Sequence, residues 1–87
     1  MTRDEVVALL RELLADILEL GAGGAEIALE QDLIDDLDTD SLQRLELMTE
    51  VEHELGVRLD ARAWREARTL AELTELTLRE LAESPSR

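Results

Sequence analysis

Asp40-Ser41-Leu42-Gln43-Arg44-Leu45-Glu46-Leu47-Met48-Thr49-Glu50-Val51-Glu52-His53-Glu54-Leu55-Gly56 is the stretch that decides the fold, because it carries a start, a repeat and a stop for one helix. Asp40 is a capping residue, and Gln43, three positions on, closes a capping box worth about 1 kcal/mol. Gly56 ends the run. Leu45, Leu47, Met48, Val51 and Leu55 are expected on one broad apolar side, and Glu46, Glu50 and Glu54 form an i, i+4, i+8 ridge on another. Glutamates at that spacing repel by a few tenths of a kcal/mol per pair. A solvated helix face explains any single one of them, whereas the ridge as a whole suits docking to a basic partner.

Working outward, Thr2-Arg3-Asp4-Glu5 is a second capping box, followed by Val6, Leu9, Leu10, Leu13, Leu14 and Ile17. These residues predict a first helix ending near Leu20. Gly21, Gly23 and Gly24 then break the pattern, and a long loop with Ile27, Leu29, Leu33, Ile34 and Leu37 leads to Ser41. Apolar residues placed so regularly imply a loop packed on the helices. Past Gly56, Asp60 caps a short third helix over Ala61 to Ala67, and Thr69-Leu70-Ala71-Glu72 opens a fourth with Leu70, Leu73, Leu76 and Leu81. The expected fold is all-α: a small four-helix bundle, three longer helices plus one short third helix, with a long first loop. One domain is expected over residues 1–83, with a flexible tail over 84–87.

Eighty-seven residues make one small core of modest stability, too little chain for a deep two-lobed active site. With no cysteine, neither disulfides nor thiolate metal sites staple the chain, and it has no thiol of its own. The net charge of −13 opposes binding to nucleic acid or to anionic lipid and calls for partners with basic patches. All 9 basic residues are arginine. The N-terminus lacks the pattern of a signal peptide, and no segment is apolar and long enough to span a membrane, so a cytoplasmic monomer is expected.

Ser41 offers one hydroxyl at a helix start, where free backbone N–H groups and the positive end of the dipole suit an attached phosphodiester. Asp36, Asp38 and Asp40 would repel that phosphate, which makes them better suited to contact a basic modifying enzyme or a cation bridging during transfer. Taken alone, a serine here is a helix-capping residue. Its surroundings change the reading: Leu37-Asp38-Thr39-Asp40-Ser41 before it, Glu46 five residues after it, the acidic second helix, and Thr69 opening the last helix. Together these resemble the acyl carrier protein family, in detail from about Asp32 to Leu55. The resemblance implies a non-catalytic, discrete carrier with no metal site. Ser41 would bear 4′-phosphopantetheine, transferred from coenzyme A by a Mg²⁺-dependent phosphopantetheinyl transferase. The arm's thiol would hold an acyl chain as a thioester for acyl-loading, chain-processing and acyl-transfer enzymes of polyketide, lipopeptide or fatty acid biosynthesis. Asp40, Leu42, Glu46, Glu50 and Glu54 would be the docking residues.

Gln43 and Arg44 stand where the family more often has acidic or neutral residues, and Arg62, Arg65 and Arg68 make the third helix basic. Trp64, the only aromatic residue, is expected to fill a core edge. Asp36-x-Asp38-x-Asp40 begins like a calcium loop, but the sixth position is Ser41 rather than glycine and the twelfth is Leu47 rather than glutamate. A hydrolase is disfavoured because His53 lies three turns along the same helix and no glycine-flanked elbow holds Ser41. The alternatives left are an acidic helical interaction module that is never modified, and an aminoacyl or peptidyl carrier.

Overall fold

The computed structural model describes residues 1–83, so the tail expected over 84–87 lies outside the described residues. Helix α1 spans Arg3–Leu18. Thr2 and Glu5 cap each other reciprocally at its start, Thr2 Oγ1 accepting from the Glu5 N–H and Glu5 Oε1 from the Thr2 N–H. It stops two residues before the expected Leu20, because Glu19 turns left-handed (φ 57°) and the Leu20 N–H donates back to the Ala15 carbonyl.

The glycine-rich segment that breaks the helical pattern is not irregular: Gly21–Glu26 forms one short 3-10 helix lying against α1. Gly24 is buried there, where a Cβ would collide with the Ala15 side chain and press on the Arg11 carbonyl. Arg11 Nε donates to the Ile27 carbonyl (2.8 Å) and ties the exit of this turn to α1.

The other helices are α2 (Ser41–Leu55), α3 (Ala61–Glu66) and α4 (Leu70–Glu83). Each starts at a residue that the sequence marks. Asp40 and Gln43 form the capping box of α2, Asp60 accepts from the Arg62 and Ala63 N–H groups, and Thr69 and Glu72 bond each other across the first turn of α4. Gly56 ends α2 in the left-handed region (φ 64°).

Helix α1 packs on both α2 and α4, and α3 bridges α2 to α4. The core is aliphatic, built on Val6, Leu10 and Leu14 of α1, Leu47 and Val51 of α2, and Leu70 and Leu73 of α4, with Ile27 and Leu33 supplied by the loop. Thr74 and Thr77 are also fully buried, each hydroxyl donating to the carbonyl four residues earlier (2.8 and 2.9 Å). That local bond satisfies the polar group, so a threonine fills a core position that hydropathy assigns to the surface. Leu45, expected on the apolar side of α2 with Leu47, is instead half exposed. Residues two positions apart on a helix lie about 200° apart around its axis, so Leu45 and Leu47 cannot face the same core. No helix among the described residues is long and apolar enough to cross a membrane.

The loop before α2 is fastened at its middle. The Leu33 N–H donates to the Arg68 carbonyl (2.7 Å), and the Ala71 N–H to the Leu29 carbonyl (3.0 Å), holding the loop to the α3–α4 junction. Asp32 is the hub: its Oδ1 accepts from the Ile34 and Asp35 N–H groups (2.8 Å each), while Oδ2 pairs with Arg68 (2.9 Å). The Asp35 N–H, then the Ile34 N–H and the Arg68 guanidinium, hold the Asp32 carboxyl below its ordinary 3.8 against the opposing effect of desolvation.

Gly24→Ala lowers stability by about 1–3 kcal/mol, read from urea unfolding, since the Ala15 methyl group and the Arg11 carbonyl of α1 block the new methyl group. For Asp32 the folded pKa is depressed, so its stabilisation is present above the ordinary 3.8 and is lost as pH falls through the lower folded value. Asp32→Asn therefore destabilises the protein at neutral pH and flattens the acid limb of its stability profile, measured by urea titrations across the acid range.

Candidate functional site

The segment from Leu33 to Ser41 is built to present one side chain. Thr39 is buried, and both its N–H (2.9 Å) and its hydroxyl (2.8 Å) donate to the Leu33 carbonyl, closing the loop on itself. Asp38, just before it, takes a left-handed conformation (φ 56°) that aspartate tolerates better than most residues. Asp40 then caps α2, and Ser41 is its first helical residue, exposed to solvent. Burial of Thr39 and capping by Asp40 leave the hydroxyl of Ser41 facing outward from a fixed backbone.

The Asp40 carboxylate takes the Gln43 N–H (2.7 Å), and the first intrahelical bond runs from the Arg44 N–H to the Asp40 carbonyl (3.1 Å). The N–H groups of Ser41 and Leu42 precede that bond and are free of it, at the positive end of the helix. Arg44 Nη2 is 3.5 Å from Ser41 Oγ. A guanidinium cannot accept a proton, so this contact does not make Ser41 a self-activated nucleophile. His53 is exposed in the last turn of α2. An exposed oxygen beside free N–H donors and one cation suits a phosphodiester ester and lacks the base of a hydrolase.

Ser41, Arg44, Leu45 and Met48 follow at i, i+3, i+4 and i+7, and with Ala61, Trp64 and Arg65 of α3 they line a cleft of about 260 Å³. Trp64 closes its floor. It is 2% exposed, a full core residue rather than an edge, and its Nε1–H donates to the Arg44 carbonyl (2.9 Å), joining α3 to α2. The sequence reading missed this cleft because it assigned Leu45 to the core and treated Ser41 and Arg44 separately. The spacing that unites them was present as a helical stripe.

A second face of α2 carries the other expected residues. Leu42 (67% exposed), Leu45 (50%), Glu46, Thr49 and Glu50 line a shallow surface groove of about 350 Å³. Two exposed leucines beside two glutamates make this face both apolar and acidic. Glu54 is exposed but does not line the groove, and Asp40 is engaged as the cap. Asp36 is also engaged, its Oδ2 accepting from the Asp32 N–H (2.7 Å), and among the described residues no group of three or more His, Asp or Glu is placed to hold a metal ion. Of the three arginines expected on the third helix, Arg68 lies beyond its end, at the α3–α4 junction, and pairs with Asp32 and Asp35; on α3 itself Arg62 pairs with Glu66, whereas Arg65 stands exposed at the cleft.

Residues 8–77 match the family described as a phosphopantetheine attachment site. The chain is 44% identical over 68 residues to polyketide-8 synthase acyl carrier protein 2 of Streptomyces avermitilis, an alignment covering 78% of this chain and 66% of that one. It is 35% identical to an acyl carrier protein of Saccharopolyspora erythraea, over 90% of this chain and 80% of the relative. Among solved structures, a candidate acyl carrier protein from Mycobacterium tuberculosis superposes with a TM-score of 0.76 at 26% identity, covering 85% of this chain and 96% of the other.

Because Trp64 both fills the core and supplies the partner of a helix carbonyl, Trp64→Phe should cost about 1–3 kcal/mol. Thermal unfolding checks the size of the loss. Amide spectra should place the largest changes at Arg44 and its neighbours on α2.

Proposed function

This chain belongs to the phosphopantetheine attachment-site family, non-catalytic carrier domains that hold 4′-phosphopantetheine covalently, and on that premise we propose that Ser41 is the residue that takes the group. The observation that carries the proposal is the placement of Ser41 itself: an exposed hydroxyl on the first residue of α2, held by a capped helix and a buried threonine, with no base of its own. A group attached there supplies the thiol that a cysteine-free chain lacks, and on it an acyl chain is held as a thioester. The carrier's own residues hold the backbone still, leave the hydroxyl accessible, and place N–H donors and Arg44 beside the future phosphate. The base that removes the hydroxyl proton belongs to the transferase.

Leu42 and Leu45, flanked by Glu46 and Glu50, form the face on which partner enzymes dock. Leucines supply contact area, and the glutamates steer basic patches toward it and set register. Asp40 contributes by fixing the start of that face, and Glu54 extends its charge by one turn. The partners are a phosphopantetheinyl transferase and the enzymes that load, process and remove the acyl chain. The likeness to a carrier named for a polyketide synthase supports polyketide assembly over lipopeptide or fatty acid synthesis as the pathway. We place this work in the cytoplasm.

Incubation with coenzyme A, Mg²⁺ and a broad-specificity phosphopantetheinyl transferase, followed by intact-protein mass spectrometry, tests the assignment. The native chain should gain one phosphopantetheine group, and Ser41→Ala, an exposed position whose loss leaves the fold intact, should gain none. A folded native chain that takes no group from several transferases would make it an unmodified interaction module instead.

A further inference from the structure

Resting on the assignment of Ser41, we propose that Arg44 positions the arm by binding its phosphodiester, which holds the start of the arm against the α2–α3 cleft instead of letting it project into solvent. The guanidinium lies beside the attachment oxygen, with Nη2 3.5 Å from Ser41 Oγ. For a neutral hydroxyl that contact is long and weak. A phosphodiester on the same oxygen places anionic acceptors within reach of the same donor, where a charge-assisted bond is shorter and roughly twice as strong.

Arg44 also has donors to spare. Nη1 makes one long bond to the Arg65 carbonyl (3.3 Å), and Nε is buried with no hydrogen-bond partner among the described residues. A buried N–H without an acceptor is costly, and guanidinium has five donors in a planar fork suited to phosphate. The side chain is therefore underused in the unmodified protein.

A purely structural role explains less. The joint between α2 and α3 is already made by the Trp64 Nε1–H donating to the Arg44 carbonyl (2.9 Å), a bond that truncating the Arg44 side chain leaves in place. The electrostatic setting also calls for a cation here. Asp36, Asp38 and Asp40 precede Ser41, and a chain of net charge −13 repels an added phosphate. Arg44 offsets that repulsion at the one place where it acts, with the exposed Arg65 across the cleft adding to the same field.

The test uses the modified protein, its single adduct first verified by mass. In uniformly ¹⁵N-labelled protein the Arg44 Nε–Hε resonance is compared before and after modification, and the ³¹P resonance of the phosphodiester is compared in native, Arg44→Lys and Arg44→Gln proteins. Modification should shift the Arg44 Hε signal, because Nη2 of the same guanidinium takes up the phosphate. The ³¹P signal of Arg44→Gln should move toward that of the same phosphodiester in urea-unfolded modified protein, with Arg44→Lys between it and native. Should Arg44→Gln not fold, the Arg44 resonance in the native protein and the ³¹P shift of Arg44→Lys decide the matter. An adduct that leaves the Arg44 resonance unchanged, with coincident ³¹P signals across the variants, overturns this inference alone. Absence of any adduct overturns the assignment of Ser41 and this inference with it.

Discussion

The carbonyl of Leu33 accepts two hydrogen bonds from Thr39, one from the N–H and one from the hydroxyl, and the placement of Ser41 depends on that pair. A loop of this length would ordinarily wander, because each residue fixed costs about 1–2 kcal/mol of backbone entropy. Here Leu33 is fully buried and its N–H is held by the Arg68 carbonyl, so the segment is anchored to the α3–α4 junction before it closes on itself. With Thr39 fixed, Asp40 can only enter α2 as its cap, and the next residue must present its side chain outward.

That arrangement separates stability from function in a way that suits a carrier. Thr39, Leu33 and the Asp32–Arg68 pair hold the backbone, and none of them needs to touch a cargo or a partner. Ser41, Leu42 and Leu45 are exposed and contribute little to the core. The acidic and apolar face of α2 and the cleft toward α3 adjoin each other, with Leu45 shared between them and Ser41 on the cleft. A single helix thus carries an exposed apolar and acidic surface and, beside it, the wall of a cleft that begins at Ser41.

Much of this was legible in the chain because capping chemistry is local. Thr2, Asp40, Asp60 and Thr69 each bond groups two or three residues away, so their patterns survive without knowledge of the fold, and each of the four α-helices starts where they place it. The features that escaped are tertiary or depend on phase around a helix. Gly21–Glu26 looks like a break, yet it forms a 3-10 turn because glycine at 24 lets the backbone settle onto Ala15. Thr74 and Thr77 look like surface residues until their hydroxyls are seen to bond their own helix. Leu45 looks like core on hydropathy and lies outside it on geometry, and the cleft it lines needs α3 and Trp64 in place before it exists.

Amide hydrogen exchange of the unmodified protein tests the central claim most directly, that the loop before α2 is as firmly held as the helices and so fixes the Ser41 hydroxyl. Thr39 and Leu33 should exchange as slowly as core amides of α1 such as Leu10, opening only with global unfolding. Rapid exchange at Thr39 and Leu33, matching exposed loop positions such as Glu30, would contradict it and leave Ser41 on a mobile segment instead of a fixed one.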